Sequence, residues 1–121
     1  MTNTPLVNSF LDLAFERKFA RSKLNLVFHL NYLFKDVEFA NKTVLDVGGG
    51  TGLLSFYAAV VGAKKTICLE PEFDGSRTGM IDKFNKVKSI LSDSLQVEQL
   101  SLTLQDYLNN TTEKFDIVIL H

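Results

Sequence analysis

An acid followed by three alternating glycines, Asp46-x-Gly48-x-Gly50-x-Gly52, is the part of this 121-residue sequence best suited to chemistry. Alternating glycines let a backbone take positive φ and admit a ligand where a Cβ would clash. The apolar run Val44-Leu45 leads into them, and Leu53-Leu54-Ser55-Phe56-Tyr57-Ala58-Ala59 leads out. That order predicts a strand, a glycine turn and a helix start. The N–H groups that open such a helix have no intrahelical acceptor and suit an anionic ligand group. The spacing disfavours two common ligands. A dinucleotide turn carries glycine or alanine at its sixth position; counted from Gly48, that position is Leu53. A phosphate-binding loop ends in Gly-Lys-Ser or Gly-Lys-Thr, and the sequence contains no such run.

A second acid closes the next apolar run. Thr66-Ile67-Cys68-Leu69 reads as a strand, ended by Glu70 and Pro71. In open α/β sheets ligands lie beyond the carboxyl ends of the strands, which sets Glu70 beside the glycine turn. A carboxylate only accepts hydrogen bonds, and its two oxygens suit the two hydroxyls of a ribose. Further along, Leu100-Ser101-Leu102-Thr103-Leu104 alternates apolar and polar residues and predicts a third strand, running into Gln105-Asp106-Tyr107. Phe115-Asp116-Ile117-Val118-Ile119-Leu120 predicts a fourth, reaching His121.

The acid and glycines at 46, 48, 50 and 52, on a strand–turn–helix, resemble motif I of the class I S-adenosylmethionine-dependent methyltransferases. The resemblance covers residues 40–121 and implies S-adenosyl-L-methionine as cofactor. It also implies an α/β, Rossmann-like parallel sheet. The family order is 3-2-1-4-5-7-6; this sequence supplies about four strands, order 3-2-1-4, behind N-terminal helices. By the same resemblance Gly48, Gly50 and Gly52 cradle the methionine part, and Asp46 orients the turn and the amino group. Glu70 is then the ribose-binding acid. Asp106 accepts from the exocyclic amine of adenine, and Tyr107 offers a main-chain N–H to the ring. Asp93, in Leu91-Ser92-Asp93-Ser94, competes with Asp106 for that place.

The implied reaction is in-line attack by an acceptor N, O or C on the sulfonium methyl, with the protein supplying positioning and electrostatics. No catalytic residue is assigned. His121 would border the transfer site, and a neutral imidazole can act as a base near pH 7, but it is equally placed to be a frayed end. Gly-Thr-Gly-Leu-Leu-Ser-Phe-Tyr-Ala-Ala, followed by Gly62-Ala63-Lys64-Lys65, is similar to protein-arginine and ribosomal-protein methyltransferases. The arginine enzymes' N-terminal aromatic motif is not visible, so a small-molecule acceptor is favoured over a protein. The core reads as truncated after its fourth strand, whose open edge invites self-association or a partner chain. The alternatives to an enzyme are a catalytically silent subunit that binds cofactor or folds a partner, and a non-functional fragment.

Residues 1–39 read as a separate N-terminal helical region. Apolar residues recur at three or four, first as Leu6, Phe10, Leu13 and Ala14, then as Leu24, Phe28 and Tyr32. Glu16, Arg17, Lys18, Arg21 and Lys23 interrupt them, which predicts two helices with a break near residues 20–23. They would cap the cofactor or pack on the domain. His29 reads as an ordinary core or surface histidine. Pro71, Gly75 and Gly79 delay the next helix to about Met80, with Ser76 and Arg77 in a loop near the ribose. A net charge of −1 carries no basic excess for nucleic acid. No apolar run approaches a membrane span and the start lacks a signal-peptide pattern, so a cytoplasmic location is expected. Cys68 is the only cysteine and falls in a predicted strand, which favours core over metal or redox work; no metal site is expected. The glycosylation-type triplets at Asn41, Asn109 and Asn110 are expected to be idle.

Overall fold

The computed structural model describes residues 4–16, 22–48, 52–71, 78–91 and 95–120. The elements run α1 (Thr4–Glu16), α2 (Lys23–Leu33), β1 (Thr43–Val47), α3 (Leu53–Val60), β2 (Lys65–Leu69), α4 (Thr78–Leu91), β3 (Val97–Leu100), α5 (Leu104–Asn109) and β4 (Ile117–Leu120). Among the described residues the strands form one four-stranded sheet in the order β3-β2-β1-β4. All three pairings are parallel. This is the α/β Rossmann-like sheet, in the strand order, that the sequence implies.

Register follows the apolar pattern. Val44 lies opposite Thr66 and Ile117, and Asp46 lies opposite Cys68 and Ile119. Because side chains alternate along a strand, Val44 and Asp46 share one face, while Leu45 and Val47 share the other. Val44, Cys68, Val97 and Ile119 join a core with Phe56, Ala58 and Val60 of α3. Leu45, Ile67 and Leu69 join a smaller core on the opposite face with Tyr107 of α5. Helices on both faces explain why these strands read as continuous apolar runs.

α1 ends at Glu16 and α2 starts at Lys23; residues 17–21, where most of the expected break falls, lie outside the described residues. Ser22 caps α2, its hydroxyl accepting from the Asn25 N–H at 3.1 Å. Phe10, Leu13 and Ala14 of α1 are buried in the same core as the sheet, and α1 packs on α3, α2 and α4. Tyr57 of α3 stacks on Phe34 at 5.5 Å and meets Phe10 at 6.0 Å. The α2 stripe departs from expectation. Leu24, Phe28 and Tyr32 are 79%, 73% and 77% exposed, while Leu26 and Leu30 are buried. The helix is apolar on both sides, and only one of two competing i,i+4 rows can meet α1.

The third strand also departs. It occupies Val97–Leu100 rather than Leu100–Leu104. Pairing with β2 ends at Leu69 opposite Leu100, and Glu70 adds a last N–H to the Leu100 carbonyl at 3.0 Å. Thr103 then caps α5, its hydroxyl accepting from the Asp106 N–H at 3.1 Å. The alternation of Leu100, Leu102 and Leu104 does report a shared face, since all three pack on the smaller core. Strand end, loop and helix start divide it among them.

Gly62 ends α3. It has φ 112, its N–H reaches the Ala59 carbonyl, and the Ala63 N–H reaches Ala58 at 3.0 Å. This double bond pattern needs a left-handed residue past the helix, and it sends the chain back into β2.

Candidate functional site

The site builds outward from β1. Apolar neighbours on both sides carry Asp46 into the sheet interior, where it is 0% exposed. A buried carboxylate needs hydrogen bonds to offset lost hydration. The Ser55 hydroxyl, from the first turn of the facing helix α3, donates to Asp46 Oδ2 at 2.6 Å. Between them runs the glycine turn. Gly48 has φ 74 and Gly52 has φ 91, both in the region that a side chain rarely adopts. Gly52 occupies the N-cap position of α3, where no side chain caps the helix. Its carbonyl accepts the first helical bond, from the Phe56 N–H at 2.8 Å. Gly50 lies outside the described residues, as do Asp93, Ser76, Arg77 and His121.

Two hydrogen bonds step across the carboxyl edge of the sheet. Gly48 donates its N–H to the Leu69 carbonyl at 2.8 Å, and Glu70 donates to Leu100 at 3.0 Å. They set the start of the glycine turn directly beside Glu70. The Glu70 residue is buried, 6% exposed, and by strand alternation faces the same side of the sheet as Cys68 and Asp46. Its backbone position beyond β2 is the place the sequence predicts for a ligand-facing acid.

Cys68 lies between the two acids. Burial, then the Asp46 carboxylate, push its thiol up to about 11, with Glu70 adding to the rise; hydrogen bonding with Ser55 and Gln99 opposes it. Gln99 Nε2 points at Cys68 Sγ at 3.9 Å. A thiol held neutral there belongs to the packing, because the thiolate is the reactive form.

Asp106 and Tyr107 follow β3 by way of the Thr103 cap, at the same edge of the sheet as Gly48 and Glu70. The Asp106 side chain is exposed in the first turn of α5. The expected main-chain contact from Tyr107 meets an obstacle. Its N–H already donates to the Thr103 carbonyl at 3.0 Å, so an adenine ring would have to displace the first helical bond of α5. The Tyr107 side chain points into the smaller core, near Phe115, with its hydroxyl on Glu113 Oε2 at 3.2 Å.

Ser55 is the site residue that sequence reasoning passed over. Its signal was present: it is the lone hydroxyl inside Leu53–Val60 apart from a tyrosine, in a helix otherwise apolar. Among the described residues no group of three His, Cys, Asp or Glu is placed to hold a metal ion. No described helix is long and apolar enough to cross a membrane.

The chain is similar in sequence and fold to known proteins. No family model matches the sequence. Protein arginine N-methyltransferase 1 of Caenorhabditis elegans is 36% identical over 97 residues, which cover 78% of this chain and 25% of that protein. The crystal structure of Arabidopsis thaliana protein arginine methyltransferase 10 aligns with a TM-score of 0.60 at 28% identity, covering 77% of this chain and 25% of that one. That of PRMT6-SAH aligns with a TM-score of 0.55 at 25% identity, covering 82% and 27%. The chain spans about a quarter of the length of these relatives.

Proposed function

We propose, from the premise that this chain belongs to the class I S-adenosylmethionine-dependent methyltransferase family, that it is the cofactor-binding portion of a protein arginine methyltransferase. The observation that carries this is the junction of the positive-φ glycine turn with a buried acid at the next strand's end, joined by the Gly48 bond to Leu69. The residues present fit the cofactor. Gly48 and Gly52 leave the turn without Cβ atoms on the ligand side, and two buried carboxylates flank it. When bound, S-adenosyl-L-methionine supplies a methyl group activated by its sulfonium.

In this reading Asp46 steadies the turn and receives the amino group of the methionine part, while Gly48, Gly50 and Gly52 let the backbone close around it. Glu70 accepts both ribose hydroxyls, a role its two oxygens and its burial suit. Asp106 accepts from the exocyclic amine of adenine. Tyr107 serves that pocket through its ring packing, since its N–H is committed to Thr103. The chain's contribution to rate is orientation of the reacting groups, not acid–base chemistry.

A protein arginine acceptor replaces the small molecule favoured from the sequence, on the strength of the 36% identity to an arginine methyltransferase. Calorimetry with S-adenosylhomocysteine should show one site, abolished by Gly50→Val through a clash in the turn. Radiolabelled methyl, where transferred, should appear on guanidinium nitrogens of an arginine peptide and not on its lysine counterpart. Equal binding by Gly50→Val removes the cofactor reading; label confined to small molecules removes the acceptor.

A second reading is favoured by β4. Val118 and Leu120 are 52% and 71% exposed on the face that elsewhere holds the smaller core. A unit that binds cofactor but turns over only when more structure covers this face would bind S-adenosylhomocysteine normally and methylate nothing alone.

A further inference from the structure

We propose that Ser55 is a positioning residue for the cofactor: its hydroxyl clamps the Asp46 carboxylate and thereby ties together the two ends of the glycine turn. The inference rests on the cofactor reading above and assigns a role to a residue outside the acid–glycine motif.

Asp46 is the second-last residue of β1, and Ser55 lies in the first turn of α3. The Ser55 hydroxyl donates to Asp46 Oδ2 at 2.6 Å, a short hydrogen bond. Both side chains are 0% exposed, so water does not compete for the bond. The contact therefore joins residues nine positions apart in the chain, at the base of the turn. Gly48 and Gly52, at the two ends of the turn, adopt positive φ and carry no side chain. The bond also chooses among carboxylate orientations. With Oδ2 engaged from the α3 side, the rotation of the carboxylate is set. Its neighbours along the helix, Leu54, Phe56, Ala58 and Ala59, are all buried hydrophobics. A hydroxyl there is explained by the acid it faces.

A residue acting through Asp46 should matter to the end of the ligand that Asp46 serves. The experiment compares S-adenosylhomocysteine with 5′-methylthioadenosine, which keeps the adenine, ribose and sulfur but lacks the amino-acid part. Ser55→Ala should lower affinity for S-adenosylhomocysteine by about tenfold or more, the usual effect of losing a hydrogen bond to a charged group. Affinity for methylthioadenosine should stay within about twofold of wild type, inside the scatter of independent sites. In the Asp46→Asn background, Ser55→Ala should have little further effect on S-adenosylhomocysteine. Ser55→Cys, which keeps the buried shape and only a weak donor, should lose affinity in the same ligand-selective way with a melting temperature near wild type. Equal losses for both ligands in Ser55→Ala and Ser55→Cys would make the residue merely structural and overturn the proposal. So would unchanged affinity for both, or full additivity with Asp46→Asn. Failure of the wild-type protein to bind either ligand would overturn the cofactor reading itself.

Discussion

Glu70 and Asp116 show how one type of side chain is put to different ends. Glu70 is withdrawn from solvent beside the glycine turn, where water cannot replace what a ligand hydroxyl would give. Glu70→Ala is expected to weaken S-adenosylhomocysteine binding by about 1.5–3 kcal/mol for each charge-assisted hydrogen bond lost. Titration calorimetry with a 2′,3′-dideoxy analogue checks the assignment: mutant and wild type should bind that analogue alike. Continued discrimination between the two ligands by the mutant would assign the ribose to another residue. Asp116, by contrast, is exposed and structural. Its Oδ2 accepts from the Thr43 N–H at 2.9 Å and from the Thr43 hydroxyl at 3.1 Å. The main-chain bond first, and then the hydroxyl bond, hold its carboxyl below the ordinary range. A depressed folded-state value means stabilisation that is present above the unfolded value and lost as pH falls through the folded one. The melting-temperature advantage of wild type over Asp116→Asn should therefore hold at neutral pH and shrink as pH falls below about 4. A difference that stays constant down to pH 2 would show that the carboxylate charge plays no part.

At the scale of elements, α2 is the clearest case of tertiary choice. Its sequence offers two apolar rows, Leu24-Phe28-Tyr32 and Leu26-Leu30, and only the second is buried. Leu26→Ala and Leu30→Ala are expected to cost about 2–5 kcal/mol through cavity formation. Leu24→Ala and Phe28→Ala should stay within about 0.5 kcal/mol, as surface substitutions do. Urea denaturation midpoints distinguish the rows, and a reversed ranking would mean the helix is rotated. The same kind of choice set the length of β3. Val97–Leu100 pairs because β2 offers partners only as far as Glu70. Beyond it Leu102 and Leu104 keep the shared face without the ladder. An alternating pattern states which side chains are buried together, and it does not say whether the backbone between them is hydrogen-bonded as a strand.

Over the whole molecule, the two sheet faces differ. The α3 face is covered by a core that extends out to Phe10 and Leu13 of α1, whereas the opposite face thins toward β4. Among the described residues β4 pairs only with β1, and Val118 and Leu120 stand exposed beside the smaller core. An apolar, unpaired edge recruits other strands. Size-exclusion chromatography with light scattering should show self-association that grows with protein concentration, and Val118→Lys with Leu120→Lys should suppress it. A concentration-independent monomer would refute this expectation. The sequence by itself determined the strand–turn–helix at Asp46 to Gly52, the strand ending at Glu70, the two N-terminal helices and the strand order implied by motif resemblance. These features are local: glycine conformations, proline's fixed φ and apolar spacing act between near neighbours in the chain. Only the tertiary structure decided that Leu26 rather than Phe28 faces the core, that β3 begins at Val97, and that the Tyr107 N–H is already engaged. It also decided that Ser55 meets Asp46. Each of those outcomes depends on which surface another element presents across the fold, and a spacing rule within one segment contains no information about that surface.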